Sequence, residues 1–138
     1  MDVQPGSSVL VFGAGAVGLS AVMAAKVAGA ATIVAVDLHS HRRDLALELG
    51  ATHVIDGADG DVVEQIHGIT AGGAQYAFDT TGIPAVILGA LVSLRLGAVC
   101  GLVGVQTGPL VLDGLAAVGK TIMNILEGAA DPRIFFRE

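Results

Sequence analysis

Apolar residues in this chain gather in short runs, and the stretches between them are rich in helix formers and end at glycine. Ser8–Phe12 (SVLVF) is one such run. Residues 32–36 (TIVAV), which close at Asp37, are another, followed by 52–55, by 75–78 ending at Asp79, by 98–103 and by 120–126. Each reads as a strand. Between them, residues 19–28 predict a helix that Gly29 stops. A second helix starts from Ser40 as its cap, runs through Arg43, Leu45, Leu47 and Leu49, and ends at Gly50. Residues 61–69 place Val62, Val63, Ile66 and Ile69 on one helical face, and Gly72-Gly73 breaks that helix. Residues 83–94 read as a helix with Pro84 in its first turn, and Gly97 precedes the fifth strand. Residues 107–118 are mixed and predict no element.

Strands alternating with helices at this spacing predict βαβ units and a parallel sheet. The two halves, about residues 8–55 and 75–126, fit one doubly wound α/β sheet of six strands in the order 3-2-1-4-5-6. The 138 residues suit a single domain with a core that needs no disulfides. Hydrophobic residues at 53% against 14% charged match strands covered on both faces and exclude a disordered chain.

The net charge is −6, and the seven Lys and Arg form no basic stripe, which argues against a nucleic-acid partner. One cysteine, Cys100, allows no internal disulfide and is compatible with the cytoplasm, the expected location. Residues 3–25 carry no charge, which raises the question of a membrane segment. A signal peptide wants a positive start, whereas this chain begins Met1-Asp2. A spanning helix would not open on Pro5-Gly6-Ser7-Ser8 and then place Gly13, Gly15 and Gly18 close together. A strand, a glycine turn and a helix account for the same residues, so no membrane partner is expected.

Gly13-Ala14-Gly15-Ala16-Val17-Gly18 matches G-x-G-x-x-G, a weak signal in a chain with 20 glycines. Its place directly after a strand and at the opening of a helix makes it a strong one. Gly13 permits the tight turn, Gly15 lets backbone approach a pyrophosphate, and Gly18 lets helix and strand pack closely. The helix N-terminus then offers unpaired N–H groups and a partial positive charge to the phosphates. No Lys-Ser or Lys-Thr follows, so the loop is not one for nucleoside triphosphates.

Asp37 lies 19 residues beyond Gly18, at the end of the second strand. A carboxylate there accepts hydrogen bonds from the adenosine ribose hydroxyls and repels a 2′-phosphate. At about 4 Å that repulsion is ~1 kcal/mol in water and about 4 kcal/mol at an effective dielectric near 20, which favours NAD over NADP. Arg42, five residues on, can reach the same ribose edge and offset part of the repulsion.

Other chemistry is thinner. His39 and His41 are two apart, His53 and His67 lie in separate elements, and no C-x-x-C or H-E-x-x-H spacing exists, so all four read as surface or loop residues. Cys100 sits within an apolar strand and reads as a buried inert thiol. Ser7 and Ser8 lack a G-x-S-x-G setting. Asp79 reads as a strand-end residue near the cleft.

The segment from Ser8 through Leu19 resembles the cofactor domain of medium-chain, zinc-type alcohol dehydrogenases. So do Val36-Asp37 with Arg42, the stretch from Glu48 to Ile55, Phe78-Asp79-Thr80-Thr81-Gly82, and Gly119-Lys120-Thr121-Ile122 followed by Glu127-Gly128. The stretch from Gly18 to Lys26 is most similar to the aryl- or benzyl-alcohol dehydrogenase branch. The resemblance implies hydride transfer between NAD and an alcohol or aldehyde. It implies that Gly13, Ala14, Gly15, Ala16, Val17 and Gly18 face the pyrophosphate, with Val17 against the nicotinamide. Asp37 and Arg42 would border the ribose, and Thr80 and Thr81 the adenine. Val103, Gly104 and Val105 would supply backbone near the nicotinamide, and Ile125 and Glu127 would help hold its carboxamide. The family's catalytic zinc sits on a separate, mostly N-terminal domain whose ligands this chain does not supply. Residues 1–138 are therefore expected to be the NAD-binding domain of a longer dehydrogenase, inactive without its catalytic domain, with zinc bound outside this chain. A homo-oligomer is expected from the sixth-strand edge, which lies near a dimer interface in the family, and from Phe135-Phe136.

Two alternatives stand beside this reading. A zinc-independent quinone or enoyl reductase of the same superfamily usually favours NADP, against which Asp37 counts; zinc ligands upstream would separate the two. A free-standing nucleotide-sensing module requires a gene confined to these residues.

Overall fold

The computed structural model describes residues 1–126. Glu127, Gly128, Phe135 and Phe136, named above for carboxamide binding, family resemblance and self-association, lie outside the described residues. The elements are β1 (Ser8–Phe12), α1 (Ala16–Val27), β2 (Thr32–Asp37), α2 (Ser40–Leu49), β3 (His53–Asp56), α3 (Val62–Thr70), β4 (Ala74–Asp79), α4 (Pro84–Val92), β5 (Leu94–Leu102), α5 (Gly114–Ala117) and β6 (Thr121–Asn124). They form one parallel six-stranded sheet in the order β3-β2-β1-β4-β5-β6, a doubly wound Rossmann arrangement.

Alternation along β1 shows why both faces are apolar. Val9 and Val11 join Val22 and Ala25 of α1, Ile33 and Ala35 of β2, and Ala46 of α2 in one core cluster. Leu10 and Phe12 point the other way, into a cluster with Ile66 of α3, Ile87 and Leu91 of α4, and Cys100 of β5. Successive strand residues face opposite sides, so a strand covered by helices on both sides must be apolar throughout. The chain reverses where β1 meets β4, and the two strands run in register from Val9↔Tyr76 to Phe12↔Asp79. That switch point opens a crevice at the carboxyl ends of the strands.

Several boundaries move. The fourth helix does not reach residue 94; it ends at Val92 with Ser93 as its cap, where the Ser93 hydroxyl donates to Gly89 O at 2.7 Å. Ala74 N donates to Ser93 O at 3.0 Å, and this tertiary bond starts β5 at Leu94, four residues early, with a register irregularity before Val99. Ser40 is not a cap: His39 holds that position without a side-chain bond. α1 begins at Ala16 rather than 19, and the third helix turns out of α at Ala71 (φ 52°) before the glycine pair. β6 is shorter than residues 120–126. The unassigned stretch holds α5, capped by Asp113, whose carboxylate accepts from Leu115 N at 3.1 Å.

Cys100 is fully buried, and burial first, then the Asp79 carboxylate, pushes its thiol up to about 12 despite the opposing pull of Lys120. Native protein at pH 8 is expected to resist an aromatic disulfide reagent that labels the urea-unfolded chain completely. Rapid labelling of the native chain would contradict that burial. Among the described residues no helix is long and apolar enough to cross a membrane.

Candidate functional site: a dinucleotide cleft at the strand ends

The loop between β1 and α1 is shaped by close approach. Gly13 adopts φ +88°, and a Cβ on it would overlap the Thr80 hydroxyl. Gly18 sits against Gly13, where a Cβ would overlap the Gly13 carbonyl oxygen. Gly15 is different: it is the N-cap of α1 in an extended conformation, and a Cβ there meets nothing within 4 Å. The backbone is thus bare where space is open. Glycine gives α1 no side-chain cap, and its first turn holds no acidic residue. The first-turn amides of a 12-residue helix therefore remain available to an anion.

Asp37 ends β2 beside this loop, with only 7% of its surface exposed. Its Oδ2 accepts from Ala14 N at 2.7 Å and its Oδ1 from His39 N at 2.8 Å. The Arg42 guanidinium stands 3.7 Å from Oδ2, with its side chain 44% exposed. Burial works to raise the Asp37 pKa, but the His39 and Ala14 amides and then Arg42 outweigh it, holding the carboxyl below its usual range. The group is ionised at neutral pH, and each oxygen keeps a lone pair for a further donor.

The third wall comes from the turn after β4. Asp79 is completely buried; its Oδ1 accepts from the Thr81 hydroxyl at 2.7 Å and its Oδ2 from Gly82 N at 2.8 Å. Its own carbonyl accepts from Val103 N at 2.8 Å and Gly104 N at 3.1 Å. Thr80 reaches back to the glycine loop, donating its hydroxyl to Phe12 O at 2.9 Å and Gly13 O at 3.1 Å. Gly82 and Gly104 close this knot, since a Cβ on either would overlap backbone of the opposite loop. Asp79 thus fixes its own turn through its carboxylate and, through its main-chain carbonyl, joins it to the loop after β5, where Gly82 O also accepts from Thr107 N at 2.9 Å; its reading as a strand-end residue missed this role.

These groups surround a cavity of about 490 Å³. Of the residues singled out from sequence, Gly13, Gly15, Asp37, Arg42, Thr80 and Thr81 line it. Ala14 is buried beneath, committed to Asp37, and Gly18 is packed on Gly13. Ala16 and Val17 are exposed in the first turn of α1, and Val103, Gly104 and Val105 follow β5; none of these lines the cavity. The cavity thus takes in the Gly13, Asp37 and Thr80 side of the crevice, while Val17 and Val105, 55% and 89% exposed, lie outside it. Sequence reading missed the apolar wall of Leu38, Val62, Val63, Ile83 and Val86. The exposed Leu38 (63%) and Ile83 (45%) are the signal in the structure: apolar side chains at a cleft mouth suit a flat, apolar ligand face.

A dinucleotide fits these residues: open space at an uncapped helix N-terminus, an ionised carboxylate beside it, and an apolar slot beyond. Zinc does not: among the described residues no group of three or more His, Cys, Asp or Glu is placed to hold a metal ion.

Residues 16–133 match the family described as zinc-binding dehydrogenase. The chain belongs to the zinc-binding dehydrogenases. It is 41% identical over 140 aligned residues to a geraniol dehydrogenase of Castellaniella defragrans, covering 98% of this chain and 38% of that protein. The structure of benzyl alcohol dehydrogenase from Acinetobacter calcoaceticus superposes with a TM-score of 0.91 at 41% identity, over 96% of this chain and 38% of the other. A zinc-binding dehydrogenase of Sinorhizobium meliloti, solved bound to NADP, superposes with a TM-score of 0.84 at 26% identity, over 88% of this chain and 38% of that one. The chain thus spans under two fifths of the length of these dehydrogenases, and the matching region is a nucleotide-binding domain of alcohol dehydrogenases and their kin.

Proposed function

We propose that this cleft binds NAD in preference to NADP, and that the domain presents the nicotinamide for hydride transfer in a zinc-dependent alcohol dehydrogenase, with an aryl or similar alcohol as substrate. The observation that carries the reading is Asp37: ionised, buried, and bonded to the loop that would hold the pyrophosphate. On this reading the amides at the start of α1 take the pyrophosphate, and the free lone pairs of Asp37 take the ribose hydroxyls. The adenine slides between Thr80, Thr81 and the Val62–Ile83 wall, while Val17, Val103, Gly104 and Val105 flank the nicotinamide. When bound, NAD supplies the carbon that accepts hydride from the alcohol. The knot around Asp79 holds the two cofactor halves on one rigid support.

Calorimetric titration with NAD and NADP tests the choice of cofactor, with Asp37→Asn as the variant. Asparagine keeps an acceptor for the Ala14 amide and removes the charge. The wild-type preference for NAD is expected to fall about fivefold or more in Asp37→Asn, in line with the loss of ~1 to 4 kcal/mol of repulsion. A wild-type preference for NADP would instead favour a second reading, in which the half-exposed Arg42 serves a 2′-phosphate, as the NADP-bound relative invites.

The domain acts with a catalytic domain that carries the zinc. The chain alone, supplied with zinc, NAD and benzyl alcohol, is expected to show no turnover. Measurable dehydrogenase activity would contradict this division of labour.

A further inference from the structure

One cation near the cleft is not explained by ligand contact. Arg43 does not line the cavity, and only 17% of its side chain is exposed. Its Nη1 donates to Asp37 O at 2.8 Å and to Leu38 O at 3.0 Å, and its Nη2 lies 3.1 Å from Asp56 Oδ2. Asp56 is the last residue of β3 and the register partner of Asp37, and its other oxygen accepts from Ala58 N at 3.0 Å. One guanidinium thus clamps the turn between β2 and α2 against the end of β3. That same turn carries the His39 amide that fixes Asp37 Oδ1. A planar fork with several donors in fixed directions can hold two carbonyls and a carboxylate together; an ammonium is a point donor and cannot match all three.

We infer that Arg43 is a positioning residue for cofactor choice, acting through the orientation of the Asp37 carboxylate, with Asp56 orienting Arg43 in turn. The inference rests on the NAD reading of the cleft. Arg43→Ala is expected to weaken NAD binding about tenfold and to narrow the NAD over NADP preference by a similar factor. Arg43→Lys recovers only part of the loss, and Asp56→Asn, which leaves both carbonyl bonds, costs about threefold.

The test is a double-mutant cycle read by calorimetry with NAD and NADP, alongside amide hydrogen exchange of the unliganded chain. In an Asp37→Asn background, Arg43→Ala should change NAD affinity less than twofold. The Ala14 and His39 amides should exchange at least tenfold faster in Arg43→Ala than in the wild type, while amides in β4 and β5 keep their rates. Equal losses in the two backgrounds, or unchanged exchange at Ala14 and His39, would overturn the role of Arg43. The exchange result stands whether or not NAD binds, so a wild-type chain that prefers NADP would remove the cofactor reading without deciding the clamp.

Discussion

Gly15→Val is expected to abolish NAD binding and leave the fold intact. Gly15 occupies the N-cap of α1 at φ −75° and ψ −168°, an extended conformation open to any residue. A Cβ there meets nothing within 4 Å beyond its chain neighbours, so a side chain at this position points into open space. Exchanging glycine for an apolar N-cap costs about 1 kcal/mol or less, a shift of a few degrees in Tm. The same branched side chain fills the space in which a pyrophosphate would approach the first-turn amides. A loss of 100-fold or more in NAD affinity is expected, about 2.7 kcal/mol, with a near wild-type circular dichroism spectrum. Gly18→Ala is the contrasting variant, because its Cβ would overlap the Gly13 carbonyl and must disturb the loop itself. A Gly15→Val protein that binds NAD like the wild type would place the phosphates elsewhere.

Asp79→Ala is expected to cause the largest loss of stability of any single polar substitution at the cleft. The carboxylate is fully buried, and it accepts from the Thr81 hydroxyl and from the Gly82 amide. Alanine removes the acceptor of the buried Gly82 amide and of the Thr81 hydroxyl and amide. Each unsatisfied buried group costs ~1 to 3 kcal/mol, so a loss of about 3 kcal/mol is expected, near 10 °C in Tm. Because the turn from Thr80 to Gly82 also holds the glycine loop through the Thr80 hydroxyl, NAD affinity should fall with it. Asp79→Asn keeps an acceptor for Thr81 and should lose less than half as much. A thermal melt of Asp79→Ala within 3 °C of the wild type would show that the knot does not depend on this side chain.

The difference between Asp37 and Asp79 shows how far the sequence can be read. Both end a strand with an acidic residue, and strand-end position was legible from the apolar runs before them. What each carboxylate does depends on the loop that crosses it. The glycine fingerprint announces the loop over Asp37, whereas the Asp79 carboxylate is met by Thr81 and Gly82 of its own turn and its main-chain carbonyl by residues 103–104, which local pattern does not connect. Six strands followed from their alternation with helices, and their order from the doubly wound arrangement that two such halves adopt. The start of β5 did not, because Leu94 is as good a helix former as a strand residue, and only its pairing with Ala74 decides. Arg42 and Arg43 are chemically identical neighbours. About 100° of helical rotation between them sends one to the cleft and the other to the Asp56 clamp, and the helix phase that sets this comes from packing. The apolar wall was hidden for a similar reason: Leu38, Val62 and Ile83 are far apart in sequence and meet only across the switch point.

The central claim is that the crevice between Gly13, Asp37 and Thr80 is where the dinucleotide binds. Titration of the isotope-labelled chain with NAD, followed by amide chemical shifts, tests it most directly. Saturable shifts are expected, concentrated at Gly13, Ala14, Gly15, His39, Thr80 and Thr81, with a smaller second group at Val17 and Gly104. Shifts confined to other surfaces, or none at millimolar NAD, would contradict it.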